Sequence, residues 1–145
     1  MPRAVADTSF LFSLYGADAH TAAARSWIGR KREPVAITLL GRYELGNALR
    51  FAAFRNAISG ADCASALAAF ESDLKVGYLQ LAPCDFPAII GEAQRLSELH
   101  TLAGGHRSFD ILHVATARTL KADAFLSFDA KQRKLARAVG LPVAP

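Results

Sequence analysis

Short β-prone segments alternate with longer stretches of helical periodicity along this whole sequence, and that alternation fixes most of what the chain can become. Strand-like runs fall at residues 3–6, 35–38, 78–81 and 124–127. A fifth, at 141–143, carries Pro142, which only an edge strand tolerates. Between them apolar residues recur at helical spacing, as in Ala23, Ala24, Trp27 and Ile28. The pattern predicts a helical turn at 10–14 and helices at 20–30, 40–57, 61–76, 86–102, 109–120 and 129–139. Punctuation agrees. Pro34 ends one helix, Ser59-Gly60 breaks another and caps the next, and Pro83 closes the third strand. Ala103-Gly104-Gly105 reads as a loop, Ser108 as a cap and Gly140 as a C-terminal stop. Strands that alternate with helices build an open, mainly parallel sheet, here of four or five strands, with helices on both faces. Ligands of such sheets bind beyond the carboxyl ends of the strands.

At 145 residues the sequence reads as one domain spanning 1–145, large enough to bury a core without disulfides or metal. Its two cysteines, Cys63 and Cys84, stand too far apart in sequence for a C-x-x-C pair and read as small core residues in a reducing compartment. No apolar run approaches the roughly 18 residues that a membrane helix needs. A carboxylate at position 7 comes too early for the apolar stretch of a signal peptide. The expectation is a cytoplasmic protein with no membrane partner.

Four acids fall where the sheet rule places chemistry. Asp7 follows the first strand, and Asp129 follows the fourth after Ser127-Phe128. Glu44 stands early in the helix after the second strand, and Asp110 in the first turn of the helix before the fourth. Each has a structural alternative. Asp7 and Asp129 suit helix N-caps, and Asp110 suits the positive end of a helix dipole. Glu44 and Asn47 fall within an apolar stripe of Leu40, Ala48 and Phe51, so Glu44 needs a partner: a metal ion, an arginine, or the stripe's edge meeting solvent. Carboxylates tolerate one another only if some protonate or a cation binds between them. Oxygen donors without a His/Cys set select Mg²⁺ or Mn²⁺ over zinc. The net charge is +4, and setting these acids aside leaves nine against 17 Lys and Arg, so the rest of the molecule carries +8. An acidic pocket in a basic surface suits a phosphodiester substrate.

The segments Val5-Ala6-Asp7-Thr8-Ser9, Glu44-Leu45-Gly46-Asn47-Ala48-Leu49, Ser108 through Ala117 and Phe125-Leu126-Ser127-Phe128-Asp129 resemble the PIN domain, and most closely its VapC-type toxins. His20 to Trp27 also resembles a helix common there. The resemblance implies a three-layer α/β/α fold and a metal-dependent endoribonuclease, the toxin of a toxin–antitoxin pair. It carries the acidic quartet onto Asp7, Glu44, Asp110 and Asp129. Asp7 and Asp110 are expected to hold the principal Mg²⁺ or Mn²⁺, with Glu44 and Asp129 completing its surroundings. Ser127 departs from the threonine of the family's Thr-x-Asp motif but keeps the hydroxyl. Ser9, Asn47 and Ser127 are expected to orient the acids. The resemblance further implies homodimers, and an antitoxin protein whose tail blocks the site.

Other cations invite two readings each. His113, one turn after Asp110, suits a carboxylate partner, a phosphate contact or simple packing. His106 and Arg107 follow Gly104-Gly105 and suit either a grip on RNA or a solvent loop. Lys131, Arg133, Lys134 and Arg137 form a basic run that suits phosphate or open solvent. Trp27, Phe51, Phe54 and Phe70 read as core or dimer contacts. Two other enzyme classes fail on residues. A haloacid dehalogenase-type phosphatase needs Asp-x-Asp where this chain has Asp7-Thr8-Ser9, and a receiver domain needs an adjacent acidic pair near the first strand. A catalytically inactive PIN-like binding module, acting within an RNA or protein complex, is the remaining alternative.

Overall fold

The computed structural model describes residues 3–145, so Met1 and Pro2, part of the N-terminal signal-peptide reading, lie outside the described residues. Five short strands form one sheet: β1 (Ala4–Ala6), β2 (Val35–Ile37), β3 (Leu79–Leu81), β4 (Ala124–Leu126) and β5 (Val143–Ala144). Their order is β3-β2-β1-β4-β5 and every pairing is parallel. The helices are α1 (Thr8–Tyr15), α2 (Thr21–Lys31), α3 (Leu39–Phe54), α4 (Gly60–Val76), α5 (Phe86–Gly104), α6 (Ser108–Thr119) and α7 (Ala130–Ala138). Among the described residues no helix is long and apolar enough to cross a membrane.

The pleat of each strand sorts its residues between two cores. Ala6, Val35, Ile37 and Leu126 face one side, where Phe10, Trp27, Leu45, Leu49 and Phe70 of α1–α4 cover them. Val5, Ala36 and Phe125 face the other, covered by Ile89, Leu96, Val114 and Leu135 of α5–α7. This is the expected three-layer α/β/α sandwich. Phe10, Phe70 and Phe125 are fully buried. Each contributes about 1.5–3 kcal/mol by leaving water.

Several boundaries differ from the sequence reading for local reasons. The expected turn at 10–14 is a helix of eight residues, because the Asp7 carboxylate caps it at the Phe10 N–H. Thr38 leaves the second strand to cap α3, its hydroxyl accepting from the Gly41 N–H at 3.0 Å. Helix α5 runs through Ala103 and Gly104, and only Gly105, at φ 65°, takes the left-handed conformation that ends it. In α3 the buried stripe is Gly41, Leu45, Gly46, Leu49 and Ala52, one position off the expected one. Glu44 and Ala48 therefore sit at its margin, while Asn47 and Phe51 are exposed. Trp27 and Phe70 are core residues as read, but Phe51 and Phe54 stack on each other at the surface, their centroids 6.0 Å apart.

The strand order fixes where a site can form. From β1 the chain moves outward through β2 to β3, then crosses back to lay β4 on the other side of β1. The carboxyl ends of β1 and β4 flank the crevice at this reversal.

Candidate active site

The β1–β4 register pairs Ala6 with Leu126, and the Asp7 N–H donates to the Leu126 carbonyl at 3.0 Å. Asp7 thus leaves the sheet beside Ser127. Its side chain is fully buried and takes three hydrogen bonds. Oδ1 accepts from the Phe10 N–H at 2.9 Å and from Ser9 Oγ at 2.7 Å, and Oδ2 accepts from Ser127 Oγ at 2.6 Å. Burial pushes the Asp7 pKa above the usual carboxylate value, and these donors, with the charge of His113, pull against it without winning. The two serines have second duties. Ser127 Oγ accepts from the Asp129 N–H at 3.1 Å, and Ser9 Oγ accepts from the Phe128 N–H at 2.9 Å. Asp7 and the turn carrying Asp129 are therefore held by the same two hydroxyls.

Glu44 reaches in from α3. Thr8 Oγ1 donates to its Oε2 at 2.7 Å, and His113 Nε2 contacts the same oxygen. Burial works to raise the Glu44 pKa, but His113, through its hydrogen bond and charge, Thr8 and the Arg107 charge hold it below the ordinary value. Asp110 sits in the first turn of α6, nearly buried. Its Oδ2 accepts from Arg107 Nε at 3.1 Å and its Oδ1 from Gln132 Nε2 at 3.2 Å. Asp129 caps α7, its Oδ1 accepting from the Gln132 N–H at 2.8 Å. Gln132 thus ties Asp110 to Asp129, one with its side chain and one with its backbone.

These groups surround an open cavity of about 420 Å³. Glu44, Asp110 and Asp129 line it with Ser9, Arg107 and His113, while Asp7 is fully buried, off the lining, and bonded to Ser9. A separate cavity of about 350 Å³, between α3 and α6, is walled by Leu40, Phe86, Ile89 and Leu112 and holds no acid, so it offers no comparable chemistry.

Not every expected residue arrives. Asn47 is exposed and off the cavity, because the α3 stripe is turned by one position. His113 is buried against Glu44, which makes it a carboxylate partner, and it also lines the cavity. Arg133 spends its guanidinium on the Ser127 and Pro145 carbonyls, at 2.7 and 3.0 Å, and clamps the end of β4. Neither His106 nor Lys131 lines the cavity. His106 Nδ1 is buried without a partner, and burial, then His100 and Lys131, lower its pKa. Lys131 lies 3.5 Å from the Gly105 carbonyl. Arg107, by contrast, is exposed at the rim and aimed at Asp110.

Thr8, His20, Phe128 and Gln132 line the cavity without having been expected as site residues, though the first three fall in segments that carry the resemblance. Gln132 had a signal, since Asp-x-x-Gln at a helix start matches the spacing of a capping box.

The donors suit a hard divalent cation by chemistry. They are carboxylate oxygens, and the neighbours that hold Asp110 and Glu44 here, Arg107 and His113, are groups that carry or can carry positive charge. Gln132 Oε1 is a further oxygen, buried without a hydrogen-bond partner beside two of the acids. As the side chains stand, no three His, Cys, Asp or Glu groups among the described residues are gathered closely enough to hold an ion. A cation therefore has to draw the acids off their present partners.

A family model for the PIN domain matches residues 4–138. No curated protein matches the chain in sequence. Among solved structures the chain is similar to VapC20 from Mycobacterium tuberculosis, described as a sarcin-ricin loop cleaving toxin. The TM-score is 0.69 and the identity 19%, over 98% of this chain and 99% of that one. It is also similar to PAE2754 from Pyrobaculum aerophilum, with a TM-score of 0.62 and 19% identity over 98% and 89% of the two chains. At such identity the likeness is one of fold.

Proposed function

Because this chain belongs to the PIN-domain family, we propose that it is a metal-dependent endoribonuclease of the VapC toxin type. It hydrolyses RNA phosphodiester bonds, works with Mg²⁺ or Mn²⁺, and pairs with a protein antitoxin. A homodimer is the proposed assembly. One observation carries the reading: Glu44, Asp110 and Asp129 line one open cavity with Ser9, which is bonded to the buried Asp7, at the reversal of strand order, in a molecule that is otherwise basic.

Asp7 and Asp110 would hold the ion, with Glu44 and Asp129 completing its surroundings. When bound, the ion supplies Lewis acidity that makes water nucleophilic near neutral pH and offsets charge on the reacting phosphate. The protein's own groups prepare this. Ser127 and Ser9 hold the Asp7 carboxyl in place by hydrogen bonds to its two oxygens. His113 and Thr8 keep Glu44 ionised. Arg107, once off Asp110, is the exposed cation at the rim and meets the phosphate backbone.

The test is cleavage of a labelled mixed RNA pool by purified protein in Mg²⁺, Mn²⁺ or EDTA, with folded Asp110→Asn protein as control. Metal-dependent cutting that is mostly lost in the variant is the expected result. An uncut pool, with no divalent-ion binding by calorimetry in antitoxin-free protein, would replace the nuclease with an inactive binding module.

A further inference from the structure

Three rings are stacked from the core out to the cavity. Phe10, fully buried, lies against Phe128 with centroids 5.7 Å apart and planes 14° apart. Phe128 in turn lies against His20 at 4.5 Å and 9°. His20 is exposed, and both His20 and Phe128 line the acidic cavity. The imidazole takes part in no hydrogen bond among the described residues, so its position comes from stacking alone.

The backbone on either side of the stack is hydrogen-bonded. Phe128 stands between Ser127 and Asp129, and its N–H donates to Ser9 Oγ, the hydroxyl that also donates to Asp7. One serine therefore sets the platform's place relative to the acids. On the other side Asp18 pins the turn before α2. Its Oδ2 accepts from Ser13 Oγ at 2.8 Å, its Oδ1 accepts from the His20 N–H at 2.8 Å, and its own N–H donates to Thr21 Oγ1 at 2.9 Å. His20 stands before the first turn of α2 but makes no side-chain cap bond there. Its ring is turned onto Phe128, beside the acids.

We propose that the His20–Phe128 stack is a nucleobase-binding subsite, on which an unpaired base next to the scissile phosphate stacks. A flat π-face serves any base, and a ring already held in place loses little freedom on binding. This rests on the ribonuclease reading and adds to it that the substrate nucleotide is unstacked, since a base within a duplex has no free face to offer.

The experiment measures binding of a single-stranded RNA hexamer by fluorescence anisotropy, in Ca²⁺ and with RNA integrity checked. One hexamer is intact and six carry a single abasic site at successive positions. For wild-type protein one abasic position weakens binding by about tenfold. His20→Ala weakens binding of the intact hexamer by a similar factor and loses sensitivity at that position. His20→Phe, which keeps a flat ring on a surface position, retains both. Equal binding of intact RNA by wild type and His20→Ala, or abasic sensitivity that survives in His20→Ala, overturns the subsite. Wild-type protein that cuts RNA but shows no position-specific abasic effect overturns the subsite alone. Wild-type protein that neither binds nor cuts RNA overturns the ribonuclease reading with it.

Discussion

Ser127 Oγ donates to Asp7 Oδ2 across 2.6 Å, although the two residues stand 120 positions apart in the chain. Both are fully buried. Removing the hydroxyl leaves a buried carboxyl oxygen without its donor. Ser127→Ala is expected to lower stability by about 1–3 kcal/mol. Urea denaturation at neutral pH measures this directly, and an unchanged midpoint contradicts it.

Asp7 gives the ion-free protein an unusual pH response. Burial raises its folded pKa above the ordinary 3.8. The fold therefore favours the protonated form. Its contribution to stability is fully present below pH 3.8 and is lost as pH rises through the raised folded value. Asp7→Asn keeps the shape and cannot ionise. In EDTA the variant is expected to gain stability over wild type at pH 7 and to gain none near pH 3. Adding Mn²⁺ at pH 7 raises the melting temperature of wild type only. Thermal melts at both pH values, with and without the ion, check all three expectations.

Arg107 Nε donates to Asp110 Oδ2 while lying on the open rim, so a divalent ion held at Asp110 would compete with it. Exposed ion pairs are weak, so the competition is modest. Arg107→Ala is expected to tighten Mn²⁺ binding by no more than about fivefold, read by calorimetry without RNA. The same change is expected to weaken RNA binding and reduce its salt dependence by about one phosphate contact. Tighter ion binding with unchanged RNA affinity would place Arg107 outside the RNA interface.

Three of the four acids were legible in the sequence because each stands beside a local signal, whereas Glu44 was read from a stripe one position off. Asp7 and Asp129 end strand-like runs and begin helices, and Asp110 follows the capping position of its own helix. The sheet rule then places them on one edge. Partnerships between distant side chains were not legible. His20 and Phe128 come from opposite ends of the chain, and only the folded β1–β4 edge sets one ring on the other. Arg133 looked like one member of a basic run, and nothing local in the sequence announces its bonds to Ser127 and Pro145. The stripe of α3 was misplaced because apolar residues surround that helix. Leu45 and Leu49 face the core, while Leu39, Tyr43 and Phe54 are apolar and exposed. Periodicity alone does not rank two such faces.

The β1–β4 and β2–β3 pairings have a consequence for a severed chain. Cutting in the turn before Ser59 leaves one fragment with β1, β2, Asp7 and Glu44, and another with β3, β4, β5, Asp110 and Asp129. Each fragment holds half of the acids, and strands of each must pair with strands of the other to rebuild the sheet. Neither half carries a working centre. If the proposed ribonuclease reading holds, their reassociation would behave as a coincidence detector, with RNA cleavage reporting that two separately made pieces have met.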